Sequence, residues 1–214
     1  FNLPGVWSAV QYGGWGLGDA WQELEAETVD HLELGWLGRL GGSTVLRASL
    51  YRDDVENAIR FVSPPPPPPR FANLGAFSVN GLVVSLHFEP RESLALFIGG
   101  TFSDSTPSEV PNLPTTTAVG GLTWIAPHGW RINVDLQWVD TRYILNPRFT
   151  TGEVQVDSYL LANARLGVPL RWFGVRADGS VFVFAENLAD EEYEHRVGYP
   201  MPGRMVQLGL EIGF

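Results

Sequence analysis

The sequence predicts an all-β protein, a portion of an antiparallel up-and-down transmembrane β-barrel that does not close on its own. Three observations predict it. First, apolar and small or polar residues alternate along about nine segments: at the C-terminus Val206, Leu208, Leu210, Ile212 and Phe214 share one parity, and Met205, Gln207, Gly209, Glu211 and Gly213 the other. That two-residue period is the side-chain period of a strand. Second, the connections between segments are alternately short and long, as turns and loops are on the two sides of an outer membrane. Third, Trp36, Phe88, Trp124, Trp130 and Phe214 lie next to the proposed periplasmic ends of the strands, where amphipathic rings form a girdle at the lipid headgroup level.

Composition agrees. Of 214 residues, 24 are Gly, 8 Trp and 12 Phe, and charged residues make up 18%, a profile of strands and turns rather than helices. No apolar run reaches the ~18 residues of a membrane helix, and a hydropathy near zero suits strands of which one side meets lipid. The net charge of −10 argues against a nucleic-acid partner, which needs a basic surface. With no cysteine, there is neither a disulfide framework nor a thiolate site. The chain opens on Phe1 without a signal-like segment and reads as a processed product or a piece of a longer protein.

In chain order, residues 1–24 are rich in Gly and Trp without sustained periodicity and read as an irregular loop or strand remnant. Alternation starts at Glu25 and sets Leu32, Leu34 and Trp36 against His31, Glu33 and Gly35; Gly38–Ser43 is a glycine-bearing turn. Thr44 to Val62 reads as one long strand whose charged second half stands in water. The prolines Pro64–Pro69 cannot pair in a sheet and form a polyproline II spacer, preferred to a ligand for a proline-binding module. Phe71–Phe88 is the next strand, Glu89–Ser93 a turn, and 94–103 a strand before a polar loop over 104–114. Thr115–Ala126 and Trp130–Thr141 follow, the latter with Trp130, Ile132, Val134, Leu136 and Trp138 on one parity. After a loop at 142–153, Ser158–Val168 and Ser180–Asn187 flank a turn at 169–179. A loop at 188–203 then leads to the last strand.

The polar parity supplies the lumen-facing candidates: Arg131, Asp135, Gln137, Asn163, Arg165, Gln207 and Glu211. Little else suggests chemistry. His31, His87, His128 and His195 lack metal-ligand spacing. The cluster Asp190, Glu191, Glu192, Glu194 and His195 reads as a solvated loop. Ser49 and Ser85 would face inward near His87, but nothing marks either as an activated nucleophile. No catalytic residue, metal or cofactor is expected, and the protein is not expected to be an enzyme.

One combination of motifs is specific. Glu186, Asn187, Leu188, Asp190 and Tyr193 form an ENL-x-D-x-x-Y segment, followed by Gly198, Pro200, Pro202, Gly203 and Arg204 in a G-x-P-x-P-G-R loop and a terminal aromatic strand. In this order they resemble the C-terminus of TonB-dependent outer-membrane receptors. Upstream, Glu27-Thr28 before Leu32–Gly35, Ser49–Tyr51 with Ile59, and Asn73-Leu74-Gly75 with Gly81–Val83 are similar to further family patterns. Val83 stands where the family usually carries Glu, so one inward carboxylate is missing. The similarity runs over residues 25–214.

The resemblance implies a barrel of about 22 strands filled by an N-terminal plug, whose leading segment engages a TonB-type energy transducer. This chain would supply the last nine strands, with residues 1–24 the extracellular loop before them. Its partners would be outer-membrane lipid, the N-terminal barrel and plug, and the assembly machinery that recognises a terminal aromatic strand. The loops 63–73, 104–114, 142–153 and 188–203 would capture a small-molecule substrate of the siderophore, corrinoid, metal-complex or glycan class. Alternatives are an outer-membrane structural or adhesive element, and a soluble β-sandwich binding module.

Overall fold

The computed structural model describes residues 11–12, 14, 16, 20–62, 70–73, 75–108, 110–145 and 153–213. Phe214, the proline run and most of residues 1–24 lie outside the described residues. The strands are β1 (Thr28–Arg39), β2 (Thr44–Glu56), β3 (Ile59–Val62), β4 (Arg70–Asn73), β5 (Phe77–Arg91), β6 (Leu94–Thr106), β7 (Thr116–Ile125) and β8 (Arg131–Val139). They continue with β9 (Arg142–Leu145), β10 (Glu153–Val156), β11 (Tyr159–Pro169), β12 (Gly179–Glu186), β13 (Glu194–Arg196), β14 (Tyr199–Pro200) and β15 (Met205–Ile212).

Nine of these form one antiparallel sheet in the order β1-β2-β5-β6-β7-β8-β11-β12-β15, which does not close. This is the predicted wall of a barrel. Beside it the described residues form three two-stranded hairpins, and no second large sheet packs on it among the described residues.

The pairing register fixes the faces, because residues opposite one another across a ladder point the same way. Trp36, Ala48, Val84, Gly100, Ala118, Trp138 and Leu160 form one continuous row across seven strands. Leu166, Val183 and Leu208 extend the same apolar face. Nothing among the described residues covers it: Leu32 and Leu34 are each 74% exposed and Leu208 76%. The buried apolar residues sit elsewhere. Val55, Ala58, Val79, Val110, Val139, Ile144, Val156 and Tyr159 are all buried at the end of the sheet that carries the long loops.

The structure moves several predicted boundaries. The strand expected over Thr44–Val62 stops at Glu56, because Asn57 takes a left-handed conformation with φ 54°. The remainder becomes β3 and pairs with β4 as a separate hairpin. The strand expected over Phe71–Phe88 is likewise interrupted, at Gly75 with φ 85°, where a side chain would strain the backbone. The turn expected over Glu89–Ser93 is shorter, since β5 runs through a register shift between Phe88 and Arg91. The loop expected over 142–153 begins with β9, which pairs with β10 at and beyond its end, and the loop expected over 188–203 contains the hairpin β13–β14. The turn over 169–179 contains a 3₁₀ turn, Leu170–Phe173, stopped by Gly174 in the left-handed region.

Candidate functional site

At the loop end, side chains tie loops to strands. Asn187 is buried and left-handed (φ 49°), a conformation Asn tolerates better than most residues. Its Oδ1 accepts from Glu191 N at 2.8 Å, and its Nδ2 donates to Glu191 O at 2.9 Å and to Pro202 O at 3.4 Å. Its own N–H donates to Asn163 Oδ1 at 3.0 Å. Asp190 Oδ1 accepts from Arg204 N at 2.7 Å, and Met201 N donates to Tyr193 O at 2.9 Å. Glu186 sits opposite Met205 in the ladder, Leu188 is exposed, and Pro200 lies opposite Glu194. A Cβ on Gly203 would fall 2.8 Å from Asp190 Oδ1, so a side chain there would push that carboxylate off Arg204 N. The two halves of the motif therefore bond to each other and close the loop between β12 and β15 onto itself.

A similar pin holds the other long loop. Asn73 Nδ2 donates to Asn57 O at 2.7 Å and to Glu25 O at 3.0 Å, while its Oδ1 accepts from Glu25 N at 2.9 Å. Glu27 Oε2 accepts from Ile59 N at 3.0 Å and lies 3.7 Å from Arg60 Nη1. A third tie lies at the base of the β6–β7 loop. Thr115 Oγ1 donates to the Asp140 carboxylate at 2.6 Å, and Thr141 N does so at 2.8 Å. The Thr115 bond, then that from Thr141, holds the Asp140 carboxyl below the usual aspartate range.

Arg142, the first residue of β9, is buried and ties that hairpin to β13, with Nη2 donating to the carbonyls of Glu194 and His195 at 3.2 Å each. Its Nη1 is buried without a partner among the described residues. Its guanidinium lies 5.9 Å from the Tyr159 ring, and Tyr159 packs on Tyr193 at 4.8 Å and on His195 at 5.9 Å. Sequence reading missed this cluster: its members come from three separate segments, and no local spacing joins them.

Below the loops, the lumen-facing candidates share the polar face of the sheet. Arg165 pairs with Glu211, which also lies 3.4 Å from Ser180 Oγ, and its guanidinium sits 4.0 Å above the Phe182 ring. Arg131 lies near them, and together with Asn133 they line an open groove of about 220 Å³. Asp135 stands opposite Gly121 and Asn163, Gln137 opposite Val119 and Leu161, and Gln207 opposite Phe184. At the other edge His31 Nδ1 donates to Asp53 at 2.5 Å, and Ser49 donates to Glu33. Ser49 thus bonds a carboxylate rather than His87, which instead stacks on Phe97 at 6.1 Å.

Three rings on this face lie over glycines of the neighbouring strand: Tyr51 on Gly81, Phe97 on Gly121 and Phe182 on Gly209. Among the described residues, no group of three His, Asp or Glu side chains is placed to hold a metal ion.

At the turn end Trp36, Phe88, Trp124 and Trp130 are exposed on the apolar side. Trp172 and Phe173 join them there, exposed on the turn between β11 and β12. Strand periodicity does not find these two, because that turn has no period to place them.

Comparison with known proteins agrees with this architecture. Residues 1–188 match a family profile described as TonB dependent receptor-like, beta-barrel. A search of curated protein sequences gives no match. Among solved structures, the chain is similar to the copper transporter OprC (TM-score 0.71, 17% identity), over 91% of this chain and 32% of that one. It is also similar to the ferric-catecholate import receptor Fiu from E. coli K12 (TM-score 0.66, 17% identity), over 87% and 27%. The FrpB iron transporter from Neisseria meningitidis (TM-score 0.64, 13% identity) matches over 87% and 31%. The chain thus spans about a third or less of the length of these structures, and such identities speak to the fold. With the profile covering most of the sequence, the chain belongs to the TonB-dependent receptor β-barrel family.

Proposed function

We propose that this chain is the C-terminal wall of an outer-membrane importer that takes up a scarce solute with energy from a TonB-type transducer. The observation that carries this reading is the division of one open sheet into an uncovered apolar face and a charged, hydrogen-bonded face. The apolar face meets lipid, for which an exposed Leu row is suited and water is not. The polar face is the lumen, where Arg131, Asp135, Gln137, Arg165, Gln207 and Glu211 meet the plug or the transport path. The loop end lies outside the cell and the turn end in the periplasm. The free edges of β1 and β15 pair with the remaining strands of the barrel, since a bare edge in lipid is costly. The transducer acts on the plug, and the assembly machinery reads the terminal strand.

Iron and copper receptors among the similar folds make metal complexes the first cargo to test, ahead of corrinoids and glycans. Cells carrying the receptor should accumulate a labelled iron or copper complex while the proton gradient stands, and lose uptake when it is collapsed. Uptake that survives the collapse, or none with any solute class offered, would contradict an energy-coupled importer and favour a structural or adhesive wall.

A further inference from the structure

The turn between β11 and β12 differs from the other connections at its end of the sheet. Its sequence, Leu170-Arg-Trp-Phe-Gly-Val-Arg-Ala-Asp178, places Trp172 (51% exposed), Phe173 (62%) and Val175 (43%) in the open. The structure holds them there. Leu170 is buried beneath the turn, Gly174 N donates to Arg171 O at 3.1 Å and Val175 N to Leu170 O at 3.2 Å. The neighbouring turn completes the fixation, since His128 O accepts from Arg171 Nη2 at 2.9 Å and from Trp172 Nε1 at 3.2 Å. Trp172 meets Trp130 and His128 edge-on, each at 5.7 Å. An apolar cluster held rigidly outward, continuous with the apolar face through Trp130, has the form of an interfacial anchor.

The charges around it choose the occupant. The turn carries Arg171 and Arg176 against one carboxylate, Asp178, whose backbone O is engaged by Gly213 N at 2.9 Å. No hydrogen bond or ion pair holds Arg176 among the described residues. The nearby Glu211 is already paired with Arg165 on the opposite face. Basic side chains beside exposed aromatic rings match a phosphate above an acyl chain, the chemistry of an anionic lipid.

We propose that the turn over residues 170–178 is a docking site for an anionic phospholipid of the periplasmic leaflet, with Trp172, Phe173 and Val175 against the acyl chain and Arg171 and Arg176 at the headgroup. This rests on the membrane reading above, and the test separates the two. This chain has no cysteine, so Val175→Cys, in a receptor whose remaining portion is also freed of cysteine, carries a bimane label uniquely, with Leu136→Cys on the apolar face and Glu92→Cys on another turn as references. The receptor is placed in phosphatidylethanolamine vesicles containing equal fractions of brominated phosphatidylglycerol or brominated phosphatidylethanolamine.

Quenching at 175 should be several-fold stronger with the brominated anionic lipid, while the label at 136 responds alike to both and that at 92 to neither. Arg176→Gln, which removes a side chain with no partner to disturb, should cut the preference at 175 by up to about fivefold and leave 136 unchanged. Equal quenching at 175 by both lipids, or none, would overturn the proposal while the label at 136 still reports lipid. A label at 136 untouched by either lipid would overturn the membrane reading and this inference with it. Shielding of 175 without quenching would point to a protein partner and also overturn it.

Discussion

The loop end and the middle of the sheet are built on different terms. At the loop end, Val55, Val79, Val139 and Tyr159 are buried and Asn73, Asn187 and Arg142 tie separate segments together. In the middle of the sheet, neither face is covered by the described residues, and Leu34 and Leu208 are mostly exposed. The loop end carries its own core, whereas the sheet is completed by what surrounds it: lipid on one face, other parts of the receptor on the second. This contrast locates rigidity at the mouth, where a solute would be captured, and dependence on partners in the wall.

The largest break is expected in the wall. Leu136→Arg or Leu210→Arg, on the apolar face near mid-membrane, should cost about 2–4 kcal/mol and impair assembly, read as loss of the folded form in outer-membrane fractions. Gln137→Arg, one residue away on the polar face, should be mild. Equal tolerance of the two would refute the assigned faces. Also in the wall, Gly121→Val or Gly209→Val forces a branched side chain into the space of Phe97 or Phe182. Turning the ring aside costs about 0.5–1.5 kcal/mol, measurable in urea titrations of the folded barrel.

At the loop end, Asn187→Ala removes the bonds to Glu191 and Pro202, about 0.5–1.5 kcal/mol for each bond lost. Its effect should stay local. Protease cleavage within 188–203 should quicken while the sheet persists, and equal loosening of the whole sheet would erase the contrast. The smallest effect concerns Asp140. Its carboxyl is held below the usual range, so the ionised form supports the loop base above pH ~4, and that support is lost only as pH falls through the lowered value. Thr115→Val should shift this loosening of the loop base to higher pH, followed by amide exchange, and an unchanged profile would show that the Thr115 bond is not its cause.

The wall was legible in the sequence because its period is local. Ile132, Val134, Leu136 and Trp138 alternate with Arg131, Asn133, Asp135 and Gln137, so one segment read alone assigns both of its faces. The loop end was not legible, for physical reasons seen in particular residues. Asn57 ends β2 by a left-handed backbone that its neighbours, still charged and strand-like, do not announce. The family motif around Asn187 was visible as a pattern, but its role as a clamp depends on Pro202 and Asn163, both distant in sequence. Arg142 donates to carbonyls more than fifty residues away, and the 170–178 turn has no period at all.

The central claim is that the two parities of each strand meet different surroundings. A cysteine walk through Arg131–Val139 in the cysteine-free chain, in intact outer membranes, tests it most directly with a membrane-impermeant maleimide. With the plug deleted from the receptor, the account predicts labelling at 133, 135 and 137 and protection at 132, 134, 136 and 138. Uniform labelling, or the opposite alternation, would contradict it.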